Sequence, residues 1–107
     1  MIGIDVAEIA RFREMQRFDA FLQKVFTEEE IAYLRARDPF ECAAGLWAAK
    51  EAVAKALGKG FSQGLSPKSV VIGHTETGAP FAVAEGMRFE VSISHEKSVA
   101  VAVAMKV

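Results

Sequence analysis

The stretch WAAKEAVAKALGKG at residues 47–60 sets Lys50, Glu51 and Lys55 among alanines and bulky apolar side chains. Charge is costly to bury unless it is paired or bound to something. At about 100° per residue, with Trp47 at zero, Glu51 falls near 40° and Lys55 near 80°, one turn apart in the favoured order. Lys50 falls near 300° on the same scale, about 100° from Glu51. The plain reading is a Glu51–Lys55 surface pair worth about a few tenths of a kcal/mol. The sharper reading is a carboxylate that binds a hard metal, with a lysine one turn on that meets a phosphate. Mg²⁺ is typically held by one or two carboxylates together with phosphate oxygens and water. The second carboxylate then comes from elsewhere, and Asp5 is the candidate, the one charge in the apolar run IGIDV at 2–6.

Other patterns fail. A phosphate-binding P-loop that ends at Gly58-Lys59 needs glycine at 53, where Val53 stands, and Ser or Thr at 60, where Gly60 stands. SHEK at 94–97 matches the short S-x-x-K nucleophile pattern, which is common by chance and belongs to much larger proteins. His74 and His95 have no metal-ligand spacing. Arg13 and Arg17 share a helical face at i,i+4; they form either a solvated face or a docking surface for an acidic protein, with arginine suited to forked contacts with carboxylates.

The elements that must position these residues follow from patterning. IGIDV (2–6) reads as a strand, 7–17 as weakly patterned helix, and 18–26 has Phe18, Phe21, Leu22 and Val25 at helical spacing. Thr27 with Glu30 forms a capping box that opens a helix to about Arg37. Asp38, Pro39 and Glu41 open the long helix, and Gly58 is its left-handed stop after Leu57. Ala48, Ala49, Ala52 and Ala56 make one flat side of that helix. Strands follow at 70–74, 81–84, 88–94 and 98–107, the last three close enough for an antiparallel meander. Helices first and strands later predict an α+β domain over residues 1–107: an N-terminal strand and helices, with one long central helix on an antiparallel sheet. The alanine face of the last strand is the natural seat of that helix.

Composition narrows the function. A chain of 107 residues with net charge −1 is one small domain with no basic field for nucleic acid. Its single cysteine, Cys42, makes no intrachain disulfide. There is neither a signal-peptide pattern nor an apolar run long enough for a membrane span. A soluble cytoplasmic protein is the simplest reading.

Three stretches in order, GIDVAEI (3–9), WAAKEAVAKALGKG (47–60) and SISHEKSVAVAV (92–103), resemble the holo-acyl-carrier-protein synthases of the 4′-phosphopantetheinyl transferase superfamily. The Gly-Ile-Asp start, the Lys-Glu-x-x-x-Lys helix, the late Ser-His and the GAP before a strand carry the likeness over essentially the whole chain. The resemblance implies transfer of the 4′-phosphopantetheine arm of coenzyme A to a serine of apo acyl carrier protein, with release of adenosine 3′,5′-bisphosphate. Under it, Asp5 and Glu51 match Mg²⁺ ligands and Lys55 matches a contact to coenzyme A phosphate. Lys50 and Gly58 align with positions near the cofactor, and His95 with a residue that holds the nucleotide part. It also implies a homotrimer with active sites between subunits, so that His95 serves a neighbour's site. Arg11, Arg13 and Arg17 lie where the small members dock the acidic carrier protein. Leu46 departs from the pattern, standing where an arginine often contacts the nucleotide phosphates; Lys59 or Lys50 could take its place. The base for the serine proton is open between Glu51 and a water held by the metal. The alternatives are a non-catalytic module of the same fold, which binds a carrier protein or nucleotide, and an unrelated Mg²⁺-dependent phosphohydrolase.

Overall fold

A computed structural model describes residues 1–107. Strand β1 (Ile2–Glu8) leads into short helix α1 (Ile9–Arg13), then α2 (Phe18–Val25), α3 (Glu28–Arg35) and the long α4 (Pro39–Ala56). A 3-10 turn at Pro67–Ser69 precedes β2 (Val71–His74), β3 (Pro80–Ala84), β4 (Met87–His95) and β5 (Val99–Lys106). The α+β expectation holds. All strand pairings are antiparallel, in the order β1-β5-β4-β3-β2. The meander therefore begins at β2, and the first strand closes onto the last.

The helix signals act as expected. Thr27 Oγ1 accepts from Glu30 N at 3.2 Å while Thr27 N donates to Glu30 Oε1 at 2.8 Å, a complete capping box. Asp38 Oδ1 accepts from Phe40 N and Glu41 N and starts α4. At its other end Gly58 takes φ +72°, Gly58 N donates to Lys55 O and Lys59 N to Ala54 O. That is the Schellman stop, which needs a residue free to enter the left-handed region.

One boundary differs. Residues 7–17 are not one helix: β1 continues through Glu8, paired with Val99, and α1 ends at Arg13. Ala7 and Glu8 gain sheet partners that a five-residue helix could not replace, and helical propensity yields to those bonds. Arg13 and Arg17 consequently do not share a helix.

Helix α4 lies across β1 and β5 on one face of the sheet. Ala48, Ala49 and Ala52 are wholly buried against it, and Ala100, Ala102 and Ala104 of β5 are buried in turn. Small side chains on both surfaces bring the backbones close. At Gly3 the approach reaches contact: a Cβ there would stand 1.9 Å from the Ala52 carbonyl oxygen. Glycine is the one residue that fits.

Behind this seam lies a buried ion pair. Lys50 is 0% and Glu30 2% exposed, with Lys50 Nζ 3.0 Å from Glu30 Oε1. Lys50 Nζ also donates to the Pro67 and Val70 carbonyls at 2.8 and 2.5 Å, and Ile72 N donates to Glu30 Oε2 at 2.7 Å. All three ammonium protons are thus placed, and α3, α4, the 3-10 turn and β2 are tied at one point. Burial pulls the Lys50 ammonium below its usual pKa, and Glu30 opposes the shift. Breaking such a pair leaves a buried charge alone, at about 3–5 kcal/mol. Lys50→Met is expected to lower the unfolding free energy by about that much in urea, and adding Glu30→Gln to recover part of it. A Lys50→Met protein of wild-type stability would contradict the clamp.

Candidate active site

Alternation along β1 turns Ile2, Ile4 and Val6 to one face and Gly3, Asp5 and Ala7 to the face that carries α4. Asp5 therefore leaves the strand beside the helix, two residues beyond the contact at Gly3. Lys55 reaches down from α4, and its Nζ donates to Asp5 Oδ1 and to the Ile4 carbonyl, both at 3.0 Å. The Asp5 side chain is 15% exposed and the lysine 54%, so the pair sits at the lip of the seam. The acidic partner of Lys55 is Asp5 across the strand–helix junction, not Glu51 one turn away. This corrects the simple surface pair: the helix-wheel neighbour loses to a carboxylate that offers a backbone oxygen beside it.

Glu51 precedes Ala52, the residue whose carbonyl touches Gly3, and is half-buried. Its carboxyl is pushed above the usual value by burial first and by the Asp5 charge second; Lys55 and Arg11 pull the other way. Two acids thus share a small region with one lysine. No three or more histidine, cysteine, aspartate or glutamate side chains are placed to hold a metal ion among themselves. Two carboxylates of this kind fit a hard cation that completes its shell with phosphate oxygens and water, the usual Mg²⁺ pattern. Asp5 and Glu51 would hold it, and a dication there would relieve the repulsion that raises Glu51.

The remaining expected residues fall elsewhere. Lys50, expected near the cofactor, is withdrawn into the core by Glu30 and two carbonyls, and no donor is left for a ligand. Lys59, the other substitute for a basic residue at 46, pairs with Glu85 Oε2 at 2.6 Å. Leu46 is buried. Gly58 shapes the end of α4, with open space where a Cβ would stand. Arg11 packs against the Phe12 and Trp47 rings, 5.5 and 6.0 Å from their centroids, and its charge is felt at Glu51. Arg13 pairs with Asp38 at 2.9 Å; with Arg17, Phe18 and Phe40 it lines an open groove of about 520 Å³.

His95 stands apart. Its Nε2 lies 3.3 Å from Glu41 Oε1, and it lines a cavity of about 370 Å³ with Tyr33, Arg37, Leu46, His74 and Pro80. Glu41 and Glu51 are separated by about 15 Å of helical rise, so one chain does not bring His95 to the carboxylates. Sequence reasoning passed over Arg37 and Tyr33; their i,i+4 spacing at the end of α3 was the available sign.

Known proteins carry the same arrangement of chain. The family model of the 4′-phosphopantetheinyl transferase superfamily matches residues 1–104. A holo-[acyl-carrier-protein] synthase of Caldicellulosiruptor bescii is 48% identical over 97% of this chain and 94% of its own. That of Chlorobaculum tepidum is 43% identical over 97% and 95%. Among solved structures, the Helicobacter pylori holo-[acyl-carrier-protein] synthase in complex with coenzyme A superimposes with a TM-score of 0.90 at 30% identity, covering 100% of both chains. The Bacillus anthracis synthase in complex with CoA (3′,5′-ADP) gives 0.87 at 32% identity, covering 98% and 93%. With a family model over nearly its full length and relatives of this identity, the chain belongs to the 4′-phosphopantetheinyl transferase superfamily.

Proposed function

We infer that this chain is a holo-acyl-carrier-protein synthase, which moves the 4′-phosphopantetheine arm of coenzyme A to a serine of an apo acyl carrier protein. The observation that carries the reading is the convergence of Asp5 and Lys55 across the strand–helix seam, beside Glu51, in a member of this superfamily. In the reaction the serine hydroxyl attacks the β-phosphorus of the coenzyme A diphosphate, a new P–O bond forms, and adenosine 3′,5′-bisphosphate leaves. Bound at Asp5 and Glu51, Mg²⁺ would offset the charge on the diphosphate oxygens. Lys55, already aimed by Asp5 and the Ile4 carbonyl, adds a point charge to the same group. The serine proton passes either to Glu51, half-buried beside Asp5, or to a water that the metal would hold. Strand and helix hold these groups in fixed relation, which matters most when two bound partners must meet.

The partner surfaces follow. The groove along Arg13 and Arg17, with the Phe18 and Phe40 rings, suits an acidic carrier-protein helix, and Arg11 lies at its catalytic side. On the outer sheet face, Ile2, Ile4, Val6 and Met105 are 66, 59, 58 and 49% exposed. They form one apolar patch, because Ile2 pairs with Met105 in the sheet and Ile4 with Val103. A homotrimer would cover that patch and would set the His95 cavity of one subunit against the carboxylates of the next, with the nucleotide part of coenzyme A between them. No helix is long and apolar enough to cross a membrane, and a cytoplasmic location goes with this reading.

With coenzyme A, Mg²⁺ and an apo carrier protein, mass spectrometry is expected to show the added arm. Asp5→Ala and Glu51→Ala are expected to lose transfer while remaining folded. No mass shift across a panel of carrier proteins, with a known synthase active alongside, would contradict the function; near-normal activity of either variant would contradict the metal assignment. Ile4→Glu is expected to release monomers in sedimentation and to lose transfer, whereas an intact Ile4→Glu trimer would remove the outer face from the interface.

A further inference from the structure

The cavity beside His95 holds a side-chain stack that the reaction above does not use. The Tyr33 and His74 rings lie 3.9 Å apart at their centroids and 12° from parallel. The Arg37 guanidinium carbon lies 3.6 Å from the same Tyr33 centroid. Two planar groups this close cannot share one face of a phenol ring, so Tyr33 is sandwiched between them. Arg37 donates one hydrogen bond, from Nη1 to the Tyr33 carbonyl at 2.8 Å, and makes no ion pair. A guanidinium has five donors, so most of its capacity is free for an anion.

The acids around the cavity are largely engaged. Asp38 accepts from Arg13 and caps α4, Glu41 faces His95, and Glu30 is held by Lys50. Glu29 borders a smaller cavity shared with His74, and Glu76 lies two residues beyond His74 in an exposed turn. Burial keeps the Cys42 thiol neutral, pushed up to about 11. Leu46 gives the same wall no charge, which leaves Arg37 as the one permanently charged cation without a carboxylate partner there.

We propose that His74 is a second, titratable cation of this cavity, which when protonated joins Arg37 in holding a phosphomonoester of the bound nucleotide. The proposal rests on the reading that places the nucleotide part of coenzyme A in this cavity. In the free protein burial first, and the Arg37 charge second, keep the His74 imidazole below its ordinary pKa. A phosphate dianion beside it favours the imidazolium. A group whose pKa is higher in the complex takes up a proton on binding. The added grip is therefore full below the free pKa and is lost as pH rises through the bound one. Tyr33 keeps the ring in place while its charge changes.

The test compares coenzyme A with 3′-dephospho-coenzyme A by calorimetry on the assembled protein, between about pH 5.5 and 8.5. Wild type, His74→Gln, His74→Phe and His95→Gln are measured alike, so that the phosphate's own titration cancels between proteins. The preference for coenzyme A is expected to rise about five- to tenfold more toward low pH in wild type than in either His74 variant. His74→Phe retains the stack without the proton and must lose this gain, while His95→Gln must keep it. Equal pH slopes in wild type and the His74 variants, or a gain lost only in His95→Gln, would overturn the proposal and leave the coenzyme site standing. If neither ligand binds wild type at any pH, the assignment of the cavity falls with it.

Discussion

Backbone contact between β1 and α4 governs the rest of the molecule. At Gly3 there is no room for even one carbon before the Ala52 carbonyl. Such an approach needs small residues throughout, and both surfaces supply them: the alanines of α4 on one side and Ala100, Ala102 and Ala104 of β5 on the other. The contact also fixes register. Asp5 follows Gly3 by two positions on the same face, Glu51 precedes Ala52 by one, and Lys55 follows one turn on. Any shift of helix against strand would separate the three. The Glu51 carboxyl is raised by burial first and by the Asp5 charge second.

Lys50 and Glu51 show how one helical step divides two charged neighbours between core and seam. The two are neighbours in sequence and about 100° apart around the helix. Lys50 enters the core, where desolvation is offset by Glu30 and two carbonyl oxygens. Glu51 faces the seam, where no cation of the chain lies close enough to pair with it fully. The first makes the loop before β2 return to one place; the second stays at the seam beside Asp5. A buried pair of this kind adds less net stability than its geometry suggests, so its main effect is to fix position.

Signals within a short stretch of chain were legible. The capping box at Thr27, the Asp38 start and Gly58 stop of α4 and the meander depend on neighbours that sequence places together, and the alanine seat shows as a small-residue pattern within each of its two elements. Choices among distant partners were not. The continuation of β1 through Glu8 depends on pairing with Val99, almost the whole chain away. Lys55 chose Asp5 over Glu51 because the strand also offered the Ile4 carbonyl. Lys50 reads as a ligand contact from its motif, and only the positions of Glu30 and of the Pro67 and Val70 carbonyls show that its protons are taken. The Tyr33–Arg37 half of the stack has a local i,i+4 spacing, but its meeting with His74 of β2 is a distant contact that no local pattern announces.

The placement of Asp5 against Glu51 depends on the Gly3–Ala52 contact. The most direct measurement is the Mg²⁺ dependence of carrier-protein modification by Gly3→Ala, in protein shown by circular dichroism to keep its helix and sheet content. The added methyl must push β1 from α4 and carry Asp5 away from Glu51. A displacement near 1 Å at such a site costs about a hundredfold in rate, and the metal needed for half-maximal rate should rise with it. A folded Gly3→Ala protein with wild-type rate and unchanged Mg²⁺ dependence would contradict the account.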